Sequence, residues 1–227
     1  MQIAVDIGGT YVDAVMVTDD GRLISNKNAT TPADPVQGVM SALEGLTSDF
    51  SNTQMFVHGT TLGLNAILQR KGATVGLITN LGFEDILEVG RAAVPDRFMY
   101  DFFYAPPSPL VPRKHRVGVP GRVNAEGDEL TPLDLESVIE AGRYLVDKCE
   151  LTSIAICFLH SYRNSEHEQK AKKALTDAFP NVSISASTDL SSEYGEYERT
   201  MTAVLDAYIS PILGDYLERL ERGLADR

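Results

Sequence analysis

Asp6-Ile7-Gly8-Gly9-Thr10, near the head of the chain, gathers the residue types that a phosphate site needs. Gly8 and Gly9 can take positive φ and carry no side chain above the backbone, so successive N–H groups can point at an anion, and the Thr10 hydroxyl adds a donor. A carboxylate beside bare phosphate is repulsive unless a hard cation lies between them. Asp6 therefore reads as a Mg²⁺ ligand, through water. The same residues also describe a plain tight hairpin, in which Gly-Gly makes the turn and Asp6 caps it. A second stretch, His58-Gly59-Thr60-Thr61, repeats the order strand, Gly, Thr, helix. His58 stands at a strand end, where it either orients a substrate or hydrogen-bonds a neighbouring turn.

The elements that must hold these residues follow from periodicity. Ile3, Val5 and Ile7 alternate with Ala4 and Asp6, a second β-rich run covers residues 10–18, and Asp19-Asp20-Gly21 turns the chain into a third strand over 22–29. Val36, Val39, Met40, Leu43 and Leu46 fall at helical spacing after Pro35, and Met55–His58 forms a strand before a helix containing Leu64, Ala66, Ile67 and Leu68. Val75–Ile78 is another strand, followed by a short helix around Phe83–Val89. From residue 92 to 129 the periodicity fails among six prolines, and this reads as a long ordered excursion. Its aromatics Phe98, Tyr100, Phe102, Phe103 and Tyr104 are expected to pack on the body or on a partner.

Thr131-Pro132-Leu133-Asp134 offers an N-cap, a first-turn proline and an acidic third position for the next helix. Ile154–Leu159 is too apolar for a one-sided strand and should be buried and central. His160 follows it and either points into a crevice or is satisfied by backbone, the second being the favoured reading. Ser165–Glu168 fits a capping box with His167 in the first turn, and Val182–Ser185 supplies a last strand. Glu196, Glu198 and Arg199 read as a solvated or paired helix face, and Ser210-Pro211 should kink the C-terminal helix or split it in two. Arg91, Arg97, Arg113 and Arg122 suit anion contacts and structural ion pairs equally well.

Composition sets limits. With 32 acidic against 20 basic residues the net charge is −12, and no Lys/Arg run offsets it, which argues against nucleic-acid or anionic-membrane partners while leaving a local phosphate site open. No apolar run reaches the length of a membrane span and Asp6 interrupts any signal-peptide core, so a cytoplasmic location is expected. Cys149 and Cys157, the only two cysteines, suit reduced thiols rather than a disulfide or zinc framework. P-loop, dinucleotide-fold, zinc-protease and serine-hydrolase motifs are absent from the sequence.

Three antiparallel strands, a Gly-Gly-Thr first turn and then alternating helices and strands resemble the ribonuclease-H-like half of the actin, sugar-kinase and heat-shock ATPase superfamily. More closely, the chain resembles the N-terminal region of the hydantoinase A/oxoprolinase family. The resemblance rests on residues 6–10, His58-Gly59-Thr60-Thr61 with Asn65, Lys71-Gly72-Ala73, Gly82–Glu88 with Gly90-Arg91, Pro109–Arg113, Phe158–Tyr162 with His167-Glu168, and Glu196–Thr200 with Ala207-Tyr208. It implies an α/β fold: a mixed sheet with helices on both faces, forming the first lobe of an actin-like ATPase. The N-terminal domain would span 1–190, including the excursion 92–129, and a helical segment 191–227 would lead toward a second lobe.

The resemblance also implies ATP and Mg²⁺ as cofactors and phosphorylation of an amide or enol oxygen, opening cyclic amides such as hydantoin and 5-oxoproline or carboxylating ketones. Asp6, Thr10 and His58 would be catalytic, with Asp6 positioning the metal. Gly8, Gly9, Thr10, Tyr11, Thr60, Thr61 and Asn65 would bind the cofactor, the two threonines facing the same cleft from the second junction. Gly121 and Gly195 stand where the family usually has charged residues, and Asp206 replaces a usual asparagine. Two other readings use the same residues: a sugar or small-molecule kinase of this superfamily, and a non-catalytic assembly subunit with a vestigial nucleotide site. No second Asp-Gly-Gly turn follows a β-run, so the chain is expected to need a second lobe or another subunit to complete an active site.

Overall fold

The computed structural model describes residues 1–225, which divide into two compact units: residues 1–72 with the chain from Ile212 onward, and residues 73–211. The C-terminal helix contributes to both units.

In the first unit β1 (Gln2–Ile7), β2 (Tyr11–Val17) and β3 (Leu23–Ala29) form an antiparallel meander, and β4 (Met55–Thr60) pairs parallel to β1, giving the order β3-β2-β1-β4. Alternation decides which side is covered. Ile3, Val5, Ile7, Val12, Ala14 and Met16 are buried against α1 (Pro35–Glu44) and against Tyr216 and Leu220 of α7 (Glu196–Ala225). Asp34 caps α1, accepting a hydrogen bond from Gln37 N, and its Pro35 occupies the first turn, where no N–H is needed. The opposite face, carrying Ala4, Asp6, Tyr11, Asp13 and Val57, is exposed. Helices on both faces were expected, but in this unit the described helices cover one.

The second unit has its own sheet, all parallel, in the order β10 (Ser183–Ala186), β9 (Ser153–Ile156), β5 (Val75–Asn80), β6 (Arg116–Val119). The single mixed sheet expected from the sequence is thus two sheets. β5 and β9 are buried along their whole length, as a parallel sheet sandwiched by helices requires. α4 (Leu135–Arg143) and α5 (Glu166–Ala178) close one side through Val138, Ala141, Ala171 and Leu175. The N-terminal part of α7 lies on the other, where Ser153 Oγ donates to the Ala207 carbonyl at 2.6 Å.

That last bond explains how Pro211 is tolerated inside α7, which runs on as one helix. Proline has no N–H for the carbonyl four residues earlier, here that of Ala207. Ser153 supplies the missing donor, and Ala73 N–H donates to the neighbouring Tyr208 carbonyl at 2.9 Å.

Other details differ from the local reading. Part of the excursion is regular: β6 joins the sheet, and β7 (Arg122–Val123) pairs with β8 (Glu129–Thr131). Phe102 and Phe103 are 99% and 95% exposed, so they do not pack on the body, while Phe98 stacks on Tyr104 at 4.8 Å. Asp134, not Thr131, caps α4, accepting from Glu136 N and Ser137 N. Gly121 (φ 147°) and Gly195 (φ 117°) take backbone conformations that a charged L-residue would adopt only with strain. Both cysteines are free, and burial pushes the Cys157 thiol up to about 11.

Candidate functional site

In the first unit a cavity of about 230 Å³ opens at the C-terminal ends of the parallel strands β1 and β4. Ile7, Gly8 and Gly9 line it from the first junction, and Thr60, Leu62, Asn65 and Ala66 from the second. Lys71 and, from α7, Ile212 and Tyr216 complete the wall. Ligands favour this end of parallel strands because the connecting loops diverge there and expose backbone donors.

The glycine turn is held from three sides. Gly8 N–H donates to Tyr11 O at 2.9 Å, Thr30 Oγ1 donates to Gly8 O at 2.9 Å, and Thr30 N–H donates to Thr10 O at 2.9 Å. Among the described residues, the N–H groups of Gly9 and Thr10 have no protein acceptor, so two donors remain at the tip. Neither Gly8 nor Gly9 uses the positive φ open to glycine. Their absent side chains matter for approach instead: a Cβ on Gly9 would stand 3.6 Å from Asn65 Nδ2, at the cavity edge.

At the second junction Thr60 Oγ1 accepts from Leu62 N–H at 3.0 Å, tying the start of α2 (Leu62–Leu68), and Asn65 Nδ2 donates to Thr61 Oγ1 at 3.1 Å. Of the anticipated binding residues, Gly8, Gly9, Thr60 and Asn65 therefore line the cavity. Thr10, Tyr11 and Thr61 flank it without lining it.

Asp6 and His58 point to opposite sides of the sheet. Asp6 is on the open face, directly across from Asp13 and Gly59, and a Cβ on Gly59 would come within 3.0 Å of its Oδ1. Lys27 engages Asp13 at 2.7 Å, whereas Asp6 makes no hydrogen bond or ion pair among the described residues. No cluster of three or more His, Cys, Asp or Glu capable of holding a metal occurs among them. One unpaired carboxylate fits Mg²⁺ that keeps its waters and takes its remaining ligands from phosphate, and does not fit an all-protein cage.

His58 sits under the cavity rather than in it. Its Nε2 is 2.8 Å from the Tyr216 hydroxyl, while Nδ1 lies near the Val5 carbonyl without reaching hydrogen-bond geometry. Burial lowers its basicity below the usual histidine range, against weaker opposing effects from Val5 and Asp6, and burial pushes Tyr216 up to about 12. A neutral imidazole accepting from a neutral phenol holds the Tyr216 ring in the cavity wall. Reading the sequence alone missed Lys71, the one cation lining the cavity, and Tyr216. Lys71 follows directly on the second junction helix, which was a usable signal, but Tyr216 arrives from 158 residues beyond its partner His58.

The second unit contains a buried polar centre built from Arg199, read from the sequence as part of a solvated or paired helix face, and Glu168, read as part of a capping box. Arg199 and Glu168 are 1% and 0% exposed. Arg199 donates to Ser161 Oγ (2.8 Å), Ser187 Oγ (3.0 Å) and Phe158 O (2.9 Å), and Glu168 accepts from Phe158 N (2.8 Å), Ser187 Oγ and Thr188 N. Glu168 therefore does not close a capping box. Asn164 Oδ1 takes the Glu166 N–H instead, at 3.0 Å. Of the four arginines weighed for anion binding, Arg91 pairs with Glu198 and Arg113 with Asp85, while Arg97 and Arg122 lie over the rings of Phe98 and Phe83.

Residues 2–179 match the model of the hydantoinase/oxoprolinase N-terminal region. The chain is 32% identical to the caprolactamase subunit alpha of Pseudomonas jessenii over 97% of its own length and 33% of that protein's, and 34% identical to the acetophenone carboxylase gamma subunit of Aromatoleum aromaticum over 91% and 31%. The crystal structure of the ATP-dependent caprolactamase from Pseudomonas jessenii superposes with a TM-score of 0.87 at 31% identity, covering 99% of this chain and 34% of that one. The chain thus spans about a third of the length of these relatives. It belongs to the hydantoinase/oxoprolinase family, whose N-terminal region it comprises.

Proposed function

We propose that this chain is the ATP-phosphate-binding N-terminal part of an enzyme that activates a cyclic amide or a ketone carbonyl by phosphorylation, for hydrolysis or carboxylation. The observation that carries this reading is the cavity where Gly8-Gly9, Thr60, Asn65 and Lys71 meet at the ends of β1 and β4. Its donors suit an anion: two unengaged N–H groups at the glycine tip, the Asn65 amide and the Lys71 ammonium. Apolar Ile7, Pro32, Pro35 and Leu62 exclude water around them.

ATP with Mg²⁺, when bound, supplies the phosphoryl group and the charge that neutralises it. The protein's share is positioning and preorganised electrostatics. Asp6, on the open sheet face, would hold the hydrated metal, the Gly9 and Thr10 N–H groups would bind terminal phosphate oxygens, and Tyr216, braced by His58, shapes the far wall. The first unit is, in this reading, the phosphate-loop half of an actin-like ATPase, with the adenosine side supplied by another lobe or subunit.

Calorimetric titration of the complete enzyme with ATP and Mg²⁺ tests this. In Gly9→Ala the added methyl has ordinary van der Waals room against protein, so the fold stands, but it occupies the approach to the tip. Affinity should fall about tenfold or more, the equivalent of one charge-assisted hydrogen bond, with an unchanged melting temperature. Parental ATP affinity in both Gly9→Ala and Lys71→Ala would show that nucleotide binds elsewhere.

A further inference from the structure

On the open face of the first unit, strand register brings four residues into one row. Gly59 of β4 lies beside Asp6 of β1, Asp6 lies opposite Asp13 of β2, and Asp13 lies opposite Lys27 of β3. Side chains directly across an antiparallel pair stand about 5 Å apart at Cβ, so the like charges of Asp6 and Asp13 repel, and a divalent cation between them would relieve the repulsion. Lys27 relieves it instead. Its ammonium reaches both Asp13 oxygens, at 2.7 and 2.8 Å, and lies 4.9 Å from the centre of the Tyr11 ring, which holds it from a second side.

The two flanks of Asp6 therefore differ. On one side the neighbouring carboxylate is already neutralised. On the other there is only the backbone of Gly59, where a Cβ would come within 3.0 Å of Asp6 Oδ1. Asp6 is left exposed, with room beside it and no competing partner. A single carboxylate suits Mg²⁺, which keeps several waters and takes its other ligands from phosphate. Two adjoining carboxylates suit a less tightly hydrated ion, such as Mn²⁺ or Ca²⁺, and hold it without help from a nucleotide.

We infer that Lys27 is the specificity-determining counter-ion of the Asp6 metal position: by occupying Asp13 it keeps the open face at one free carboxylate, so that a divalent cation is held only together with the phosphates of the nucleotide. Lys27 touches neither metal nor substrate and acts through Asp13, which makes it a positioning residue. The inference rests on the metal role proposed above for Asp6. Without the Lys27 charge, a cation on Asp6 has a second carboxylate about 6 Å away. At that separation, in water of low ionic strength, the attraction of a divalent ion to one added charge amounts to about a tenfold change in binding.

The experiment is Mn²⁺ binding to the complete enzyme without nucleotide, read from the electron paramagnetic resonance of free Mn²⁺ at low ionic strength. Sites elsewhere in the enzyme are common to every variant and cancel in the comparison. Lys27→Met should tighten Mn²⁺ binding about tenfold over the parent. Lys27→Arg keeps the charge and should bind as the parent does. Lys27→Met combined with Asp13→Asn should return to the parental value, because the row again carries one free carboxylate, and Lys27→Met combined with Asp6→Asn should lose the gain. Melting temperatures should hold throughout, since Lys27 and Asp13 are 55% and 52% exposed and such pairs add little stability. Parental binding in Lys27→Met, a gain in Lys27→Arg, or a gain that survives Asp13→Asn would overturn the proposal. So would a Lys27→Met, Asp13→Asn enzyme that binds more weakly than the parent, which would make Asp13 a metal ligand. The measurement uses neither ATP nor turnover. Parental turnover in Asp6→Asn would therefore remove Asp6 from catalysis and leave the Mn²⁺ result standing, whereas an unresponsive Lys27→Met beside an inactive Asp6→Asn refutes the counter-ion role alone.

Discussion

Replacing Arg199 by methionine tests the buried centre of the second unit, because it removes one charge and strands the other. Arg199 is 1% exposed and makes three hydrogen bonds, to Ser161, Ser187 and Phe158, and Glu168 beside it is fully buried. Methionine fills much of the arginine stem's volume, so the loss is chiefly electrostatic. Breaking a buried ion pair by removing one partner costs about 3–5 kcal/mol, because the remaining charge stays uncompensated. For a chain of this size each kcal/mol moves the melting temperature by about 2–4 °C, so a fall of roughly 10 °C is expected. The control is Arg91→Met, which breaks the Arg91–Glu198 pair with both side chains well exposed. Solvent-screened pairs contribute about 0–1 kcal/mol, and the control should move by no more than a few degrees. Thermal unfolding by circular dichroism, with urea midpoints at constant m-value, reads both. If Arg199→Met melts with Arg91→Met, Glu168 is not an uncompensated charge in the variant and the reasoning fails.

Three other outcomes follow from the same geometry. Asp6→Asn in the complete enzyme should lower ATP-dependent turnover about a hundredfold or more while leaving the melting temperature alone, since Asp6 holds no protein partner; parental turnover would refute its metal role. Ser153→Ala strands the Ala207 carbonyl that Pro211 leaves without a donor and should destabilise the chain by about 1–3 kcal/mol in urea unfolding, whereas a neutral effect would mean the carbonyl finds another partner. His58 is held below its usual pKa by burial, so on acidification the unfolded chain takes up its proton first, near pH 6.5, and stability drains away as pH falls from there toward the lower folded value. His58→Gln keeps an acceptor for Tyr216 and removes the titration, so its melting temperature should decline less below about pH 6.5. Part of the decline remains with His115, lowered by burial as well, and an unchanged slope would clear His58.

The local sequence determined what depends on neighbours along the chain. Alternation of Ile3, Val5 and Ile7 with Ala4 and Asp6 gave β1 and its covered face, because side chains in a strand point alternately to either side. The Gly8-Gly9 turn, the helix opening at Pro35 and the unbroken apolar run of β9 are legible for similar reasons, and the ordered motifs from Asp6 to Tyr208 carry the family. Tertiary structure alone decided which strands share a sheet. β4 and β5 are both short β-rich runs, and nothing local says that one pairs with β1 and the other with β9. It also decided the fate of Glu168 and Arg199: helix periodicity reads charged residues as a solvated face, and only a partner 31 positions away makes their burial tolerable. His160 and Glu196 followed the same rule in reverse. His160 Nδ1 and Glu196 Oε1 have no hydrogen-bond partner among the described residues, a condition that no stretch of sequence can state, because it is a property of the packed interior.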